Sequence, residues 1–131
     1  SESENSSTAA SQSQCDKLAE PLRYCEANHF KIAAAESLTG GLLADAFVRI
    51  PGASKVFLGS AVTYDIRAKA KILGVNADLL AEKGAVHPEV ARQMAAGTAQ
   101  LYRRDRGWRL CHRLATTGVQ GQDRMVTNLP A

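Results

Sequence analysis

The sequence predicts an α/β fold: a three-layer α/β/α sandwich around a partly parallel sheet. Three observations carry this. Short apolar runs of strand length alternate with stretches of helical period between residues 16 and 118. The run FKIAAAES at 30–37 is rich in alanine, which suits a strand squeezed between two layers better than one facing water. Glycine-containing turns join strands to helices, as in open sheets with crossover helices. The chain has 131 residues, enough for one domain, with 45% hydrophobic and 22% charged residues. That balance excludes a disordered chain, a collagen-like chain and a disulfide-dense miniprotein.

The elements follow in order. Residues 1–14, SESENSSTAASQSQ, are polar and of low complexity. They hold too little apolar surface to offset the entropy of ordering them and are expected to form a disordered tail. The domain is expected to span 15–131. From Asp16 to Asn28, Leu18, Leu22 and Cys25 recur at helical spacing. Pro21 either opens this helix or kinks it. The strand at 30–37 comes next. Thr39-Gly40-Gly41 then leads into a helix over 42–50 with Leu42, Leu43, Ala46, Phe47 and Ile50 on its apolar face, stopped by Pro51-Gly52.

KVFLGSAVTY at 55–64 is a strand pattern. Asp65 caps a helix ended by Gly74, and Asn76 caps another ended by Gly84. Pro88 opens a longer helix over 88–104 with Val90, Met94 and Leu101 inside. Residues 108–118 read as a strand ending in a glycine turn, although Arg109, His112 and Arg113 are awkward in a central strand. Residues 119–131 read as a loop.

The net charge of +3 is uneven: residues 1–100 carry ten Lys/Arg and eleven Asp/Glu, whereas 101–131 carry six Arg and two Asp. A basic end can touch nucleic acid. With one Trp and no repeated aromatic pattern to stack bases, a solvated arginine cluster is the preferred reading, and nucleic acid is not an expected partner. Cys15, Cys25 and Cys111 are odd in number and contain no CxxC pair. No metal spacing follows from them or from His29, His87 and His112, so no metal is expected and the thiols are expected to be reduced. No apolar run of about 18 residues occurs and no basic-then-apolar leader opens the sequence, so a cytoplasmic, non-membrane protein is expected.

Two places combine a strand, a turn and a helix. In Glu36-Ser37-Leu38-Thr39-Gly40-Gly41, Ser37 falls at the carboxyl end of a strand, where open sheets place ligands. The glycines and helix start there favour an anion or a developing oxyanion, although Thr39 also reads as a plain helix cap. In Tyr64-Asp65-Ile66-Arg67-Ala68-Lys69, a strand ends at Tyr64 and Lys69 lies one turn into the next helix. A buried lysine loses its charge more readily and can take a serine proton. A tyrosine hydroxyl nearby can relay it. Spacing alone does not separate Lys69 from Lys71. His87 beside Pro88 reads as a helix-start residue.

The blocks ESxTGG, VTY-x-x-x-AK and EKGAV, in this order, with ATTGV further on, resemble the CinA carboxy-terminal domain, the nicotinamide-nucleotide amidase family. The resemblance runs from about Ala33 to Ala99 and resumes at Ala115–Gly121. It implies hydrolysis of the amide of nicotinamide mononucleotide to nicotinate mononucleotide and ammonia, with no cofactor, in pyridine-nucleotide salvage. Carried over by motif position, Ser37 is the nucleophile, Lys69 the base and Tyr64 the supporting catalytic group. Thr39, Gly40, Gly41, Thr117 and Gly118 contact substrate. A homo-oligomer is implied, and often a separate amino-terminal domain.

Gln120 and Gln122 stand where the family usually has Ala and Pro. The chain ends about where the family's next strand should begin, so its last strands and helix are expected to be missing and a sheet edge exposed. The alternative function is a catalytically impaired, family-derived module that binds a nucleotide or a partner.

Overall fold

The computed structural model describes residues 17–103, 110–120 and 123–130, with side chains for 17–102 and 115–117; the expected tail at 1–14 lies outside the described residues. Helix α1 covers 17–27. It is followed by β1 (Lys31–Glu36), α2 (Leu42–Val48), a single 3-10 turn at Ala53–Lys55, β2 (Phe57–Val62), α3 (Ile66–Leu73), α4 (Ala77–Lys83), α5 (Pro88–Arg103), β3 (Leu110–Gln120) and β4 (Asp123–Pro130). The sheet order is β2-β1-β3-β4. Strand β1 runs parallel to both neighbours, and β3 pairs antiparallel with β4.

Both faces of β1 are covered, and its residues alternate between them. Ile32 packs with Leu22, Cys25, Phe47 and Val56, the layer of α1 and α2. Ala35 joins Leu73, Leu80, Val90, Met94 and Ala95 on the opposite face, the layer of α3, α4 and α5. Ala33 packs beside Ala99 of α5. Small side chains at 33–35 let helices approach the sheet closely from both sides, so alanine is tolerated in a fully buried strand. This is the expected three-layer arrangement.

The caps also follow from local sequence. Asp65 accepts from the Arg67 amide at 2.7 Å, and Gly74 closes α3 in the left-handed region at φ 71°. The Asn76 side chain accepts from the Leu79 amide at 3.0 Å. His87 Nδ1 accepts from the Glu89 amide at 3.1 Å, as befits a helix-start residue. Helix α1 continues through Pro21.

Four expectations need correction. Residues 123–130 form a strand and not a loop, and β3 continues to Gln120. The DRMVTNLP segment has no clean apolar alternation, so pairing with β3 specifies it, which a local pattern does not reveal. Thr117 and Gly118 therefore lie inside a strand, at a register shift between Thr116 and Val119, and not in a turn after it. Strand β3 is central, between β1 and β4, with Arg113 opposite Ala33 and Leu129. Finally, Leu42 and Leu101, expected inside, are exposed.

The topology places the site. The connection from β1 to β2 runs through α2 on one face. The connection from β2 to β3 runs through α3, α4 and α5 on the other. The strand order thus switches at β1, and the carboxyl ends of β1, β2 and β3 meet there, with Glu36 opposite Val62 and Ala35 opposite Ala115. A crevice at such a point is the usual ligand position in open α/β sheets.

Candidate active site

Ser37 follows β1 directly and Lys69 projects from α3. The Lys69 side chain is fully buried, and its Nζ lies 2.9 Å from Ser37 Oγ. Two backbone carbonyls hold the same nitrogen: Thr63 at 2.6 Å and Tyr64 at 2.8 Å. An ammonium would donate one proton to each of these three acceptors. A neutral amine would donate to the two carbonyls and turn its lone pair to the Ser37 hydroxyl, so the geometry serves both states of a proton carrier. Burial pushes the Lys69 amine below the ordinary lysine value, and the negative charge of Asp65 pulls it part of the way back. No residue spacing distinguishes Lys69 from Lys71, but the fold does: Lys71 is exposed.

A second buried ionisable group sits beside this pair. The Glu36 side chain, fully buried, accepts at Oε1 from Thr39 Oγ1 (2.7 Å) and the amides of Gly41 (3.1 Å) and Leu43 (2.7 Å). Its Oε2 accepts from Ser60 Oγ (2.6 Å) and the Ala44 amide (3.3 Å). Burial raises its pKa, and the hydrogen bonds from Ser60, Thr39, Leu43 and Ala44 outweigh that and hold the carboxyl below its ordinary value. Glu36 therefore caps α2 from the neighbouring strand, a role expected of Thr39. The sequence carried a signal for it: a carboxylate closing a buried alanine strand must have partners.

The remaining predicted residues are placed as follows. Thr39 is part-buried and bonded to Glu36, and its hydroxyl lies 2.8 Å from Thr116 Oγ1. Gly40 and Gly41 have φ of 58° and 122°, and nothing lies within 4 Å of where a Cβ would stand. Both take the positive φ that the turn requires. The expected supply of free helix-start amides is corrected. Gly41, Leu43 and Ala44 are bonded to Glu36, while Gly40 and Leu42 bond within the turn. From Ser37 to Asp45, only the Thr39 amide lacks an acceptor among the described residues.

The Tyr64 expectation also changes. The residue is 77% exposed, and its backbone carbonyl, not its hydroxyl, meets the lysine. The Thr117 hydroxyl donates to the Ala85 carbonyl and ties β3 to the EKGAV loop. The Thr117 carbonyl accepts from the Leu38 amide at 3.1 Å. Gly118 sits at the register shift already described. Residues missed in the sequence are Glu36, Ser60, Thr63 and Thr116.

Comparison with known proteins decides the family. The profile described as the CinA C-terminal domain matches residues 15–131. The chain belongs to the CinA C-terminal domain family. A CinA-like protein of Geobacter metallireducens is 50% identical over 92 residues, covering 70% of this chain and 21% of that protein. The solved competence/damage inducible protein CihA of Agrobacterium tumefaciens is 36% identical, with a TM-score of 0.69, and covers 81% of this chain and 61% of that one. A ComA structure from Klebsiella pneumoniae shares the fold at 22% identity and TM-score 0.67, over 90% of this chain and 82% of that one. The chain spans about a fifth of the length of the curated CinA-like relatives it matches. Among its described residues, no helix is long and apolar enough to cross a membrane.

Proposed function

We propose that this CinA domain is an amidase that hydrolyses the carboxamide of nicotinamide mononucleotide, with Ser37 as nucleophile and Lys69 as base. The single observation that carries the mechanism is the buried Lys69 Nζ, 2.9 Å from Ser37 Oγ and fixed by two carbonyls. The substrate is the one the family resemblance implies.

The neutral amine takes the Ser37 proton as Oγ attacks the carboxamide carbon. The tetrahedral intermediate collapses, the C–N bond breaks, and the Lys69 ammonium returns the proton to the leaving ammonia. Water then attacks the Ser37 ester with Lys69 as base, releasing the carboxylate and restoring the serine. The Thr39 amide is the donor left to meet the oxyanion, since the neighbouring amides already have acceptors. The exposed Tyr64 ring offers a face for the pyridine ring at the mouth of the site.

The test is ammonia release from nicotinamide mononucleotide by this chain, with the acid product identified by mass and Ser37→Ala as control. Release that vanishes in Ser37→Ala supports the reading. Nucleotide binding without release from folded protein would turn it to a binding module.

A further inference from the structure

We propose that Glu36 is a positioning residue for the nucleophile, acting through an ordered chain of hydrogen bonds from its carboxylate through Thr39 and Thr116 to the Ser37 backbone. The inference rests on the Ser37 nucleophile assigned above. It follows from counting protons. Amide N–H groups only donate. Glu36 Oε1 faces the amides of Gly41 and Leu43 as well as the Thr39 hydroxyl, so it has no room for a proton of its own. It is an acceptor only.

The single Thr39 hydroxyl proton must then go to Glu36, at 2.7 Å. In the 2.8 Å contact between Thr39 and Thr116, the donor is therefore Thr116. With its proton spent, Thr116 Oγ1 offers lone pairs to the Ser37 amide at 3.4 Å. The chain starts and ends on adjacent residues, Glu36 and Ser37. It locks the end of β1 against β3, with the serine hydroxyl held towards Lys69. Ser60 anchors the other carboxylate oxygen to β2, so one buried charge ties three strands and the start of α2 to the nucleophile's backbone.

Thr116 is the link where a relay and simple packing give opposite orders. Thr116→Ser keeps the hydroxyl and loses the methyl, whereas Thr116→Val keeps the volume and loses the hydroxyl. The readout is the rate of Ser37 labelling by a fluorophosphonate probe, in which Oγ attacks phosphorus and fluoride leaves, with thermal melting alongside. The relay predicts Thr116→Ser within about twofold of wild type and Thr116→Val about tenfold slower, one hydrogen bond's worth. Thr39→Val should match Thr116→Val, and the double variant should be no slower than either alone.

Thr116→Val labelling as fast as wild type, or faster than Thr116→Ser, overturns the relay. A wild type that labels but releases no ammonia from the nucleotide removes the substrate and leaves the relay decided by the variants. A wild type whose Ser37 does not label removes both.

Discussion

Gly97 offers the sharpest test of how the helices hold the lysine. It lies in α5 against the end of α3. A Cβ at Gly97 would stand 1.8 Å from the Leu73 carbonyl oxygen, 2.7 Å from its carbon and 3.0 Å from its Cα. All three are backbone atoms, so no rotamer change relieves the contact. Restoring an ordinary separation needs roughly 1.5 Å of movement between the two helices, in an interior packed like a crystal. Overpacking commonly costs about 1–3 kcal/mol, and a backbone-on-backbone contact belongs at the top of that range. For a domain of this size we expect Gly97→Ala to lower Tm by about 10–20 °C.

Leu73 is the last residue of the helix that carries Lys69 one turn earlier. The same displacement works against the 2.9 Å contact with Ser37, so turnover should fall with stability. Gly74→Ala is the control. Its Cβ meets open space and carries only the left-handed φ of 71°, about 1–2 kcal/mol, with the site untouched. The assay is thermal melting and ammonia release on both variants. A Gly97→Ala protein melting within about 2 °C of wild type would show that the helices separate freely and would refute the packing argument.

Further outcomes follow from the two buried ionisable groups and the site mouth. The Glu36 carboxyl titrates below its ordinary value in the fold, so its contribution is present above the unfolded value and is lost as pH falls through the folded one. Urea unfolding should show an acid limb below pH of about 4.5 that is shallower in Glu36→Gln, which also has lower stability at neutral pH. Asp65→Asn keeps a capping oxygen and removes the charge that raises Lys69. The rising limb of kcat against pH should move to lower pH, more so at low salt; an unmoved or raised limb contradicts the electrostatics. Tyr64→Phe should keep kcat, because the lysine meets the carbonyl, while Tyr64→Ala should raise KM by up to about tenfold through the lost ring face. A large kcat loss in Tyr64→Phe would restore the hydroxyl relay.

What the sequence disclosed was local. The caps at Asp65 and Asn76 and the stop at Gly74 depend on neighbours a few residues away, and they stand where the pattern put them. The alanine run of β1 declared a strand buried on both faces. Both loops of the site were legible as strand, turn and helix. Choosing Lys69 over Lys71 needed the family resemblance, because the choice depends on which way α3 faces β1.

The rest was nonlocal. Strand β4 is specified by pairing with β3 and not by its own alternation. The occupation of the α2 amides by Glu36 depends on β1 ending beneath that helix. Whether a residue contributes its ring or its carbonyl, as at Tyr64, is invisible in a motif.

The central claim is that a buried, neutral Lys69 activates Ser37. Its most direct test is the rate of ammonia release from nicotinamide mononucleotide by Lys69→Ala beside wild type, across pH. The account predicts a wild-type rate that rises with pH and levels off below the ordinary lysine pKa of about 10.4, and a loss of about 10²–10⁴-fold in a folded Lys69→Ala protein. A folded Lys69→Ala protein that keeps the wild-type rate and pH profile would contradict it.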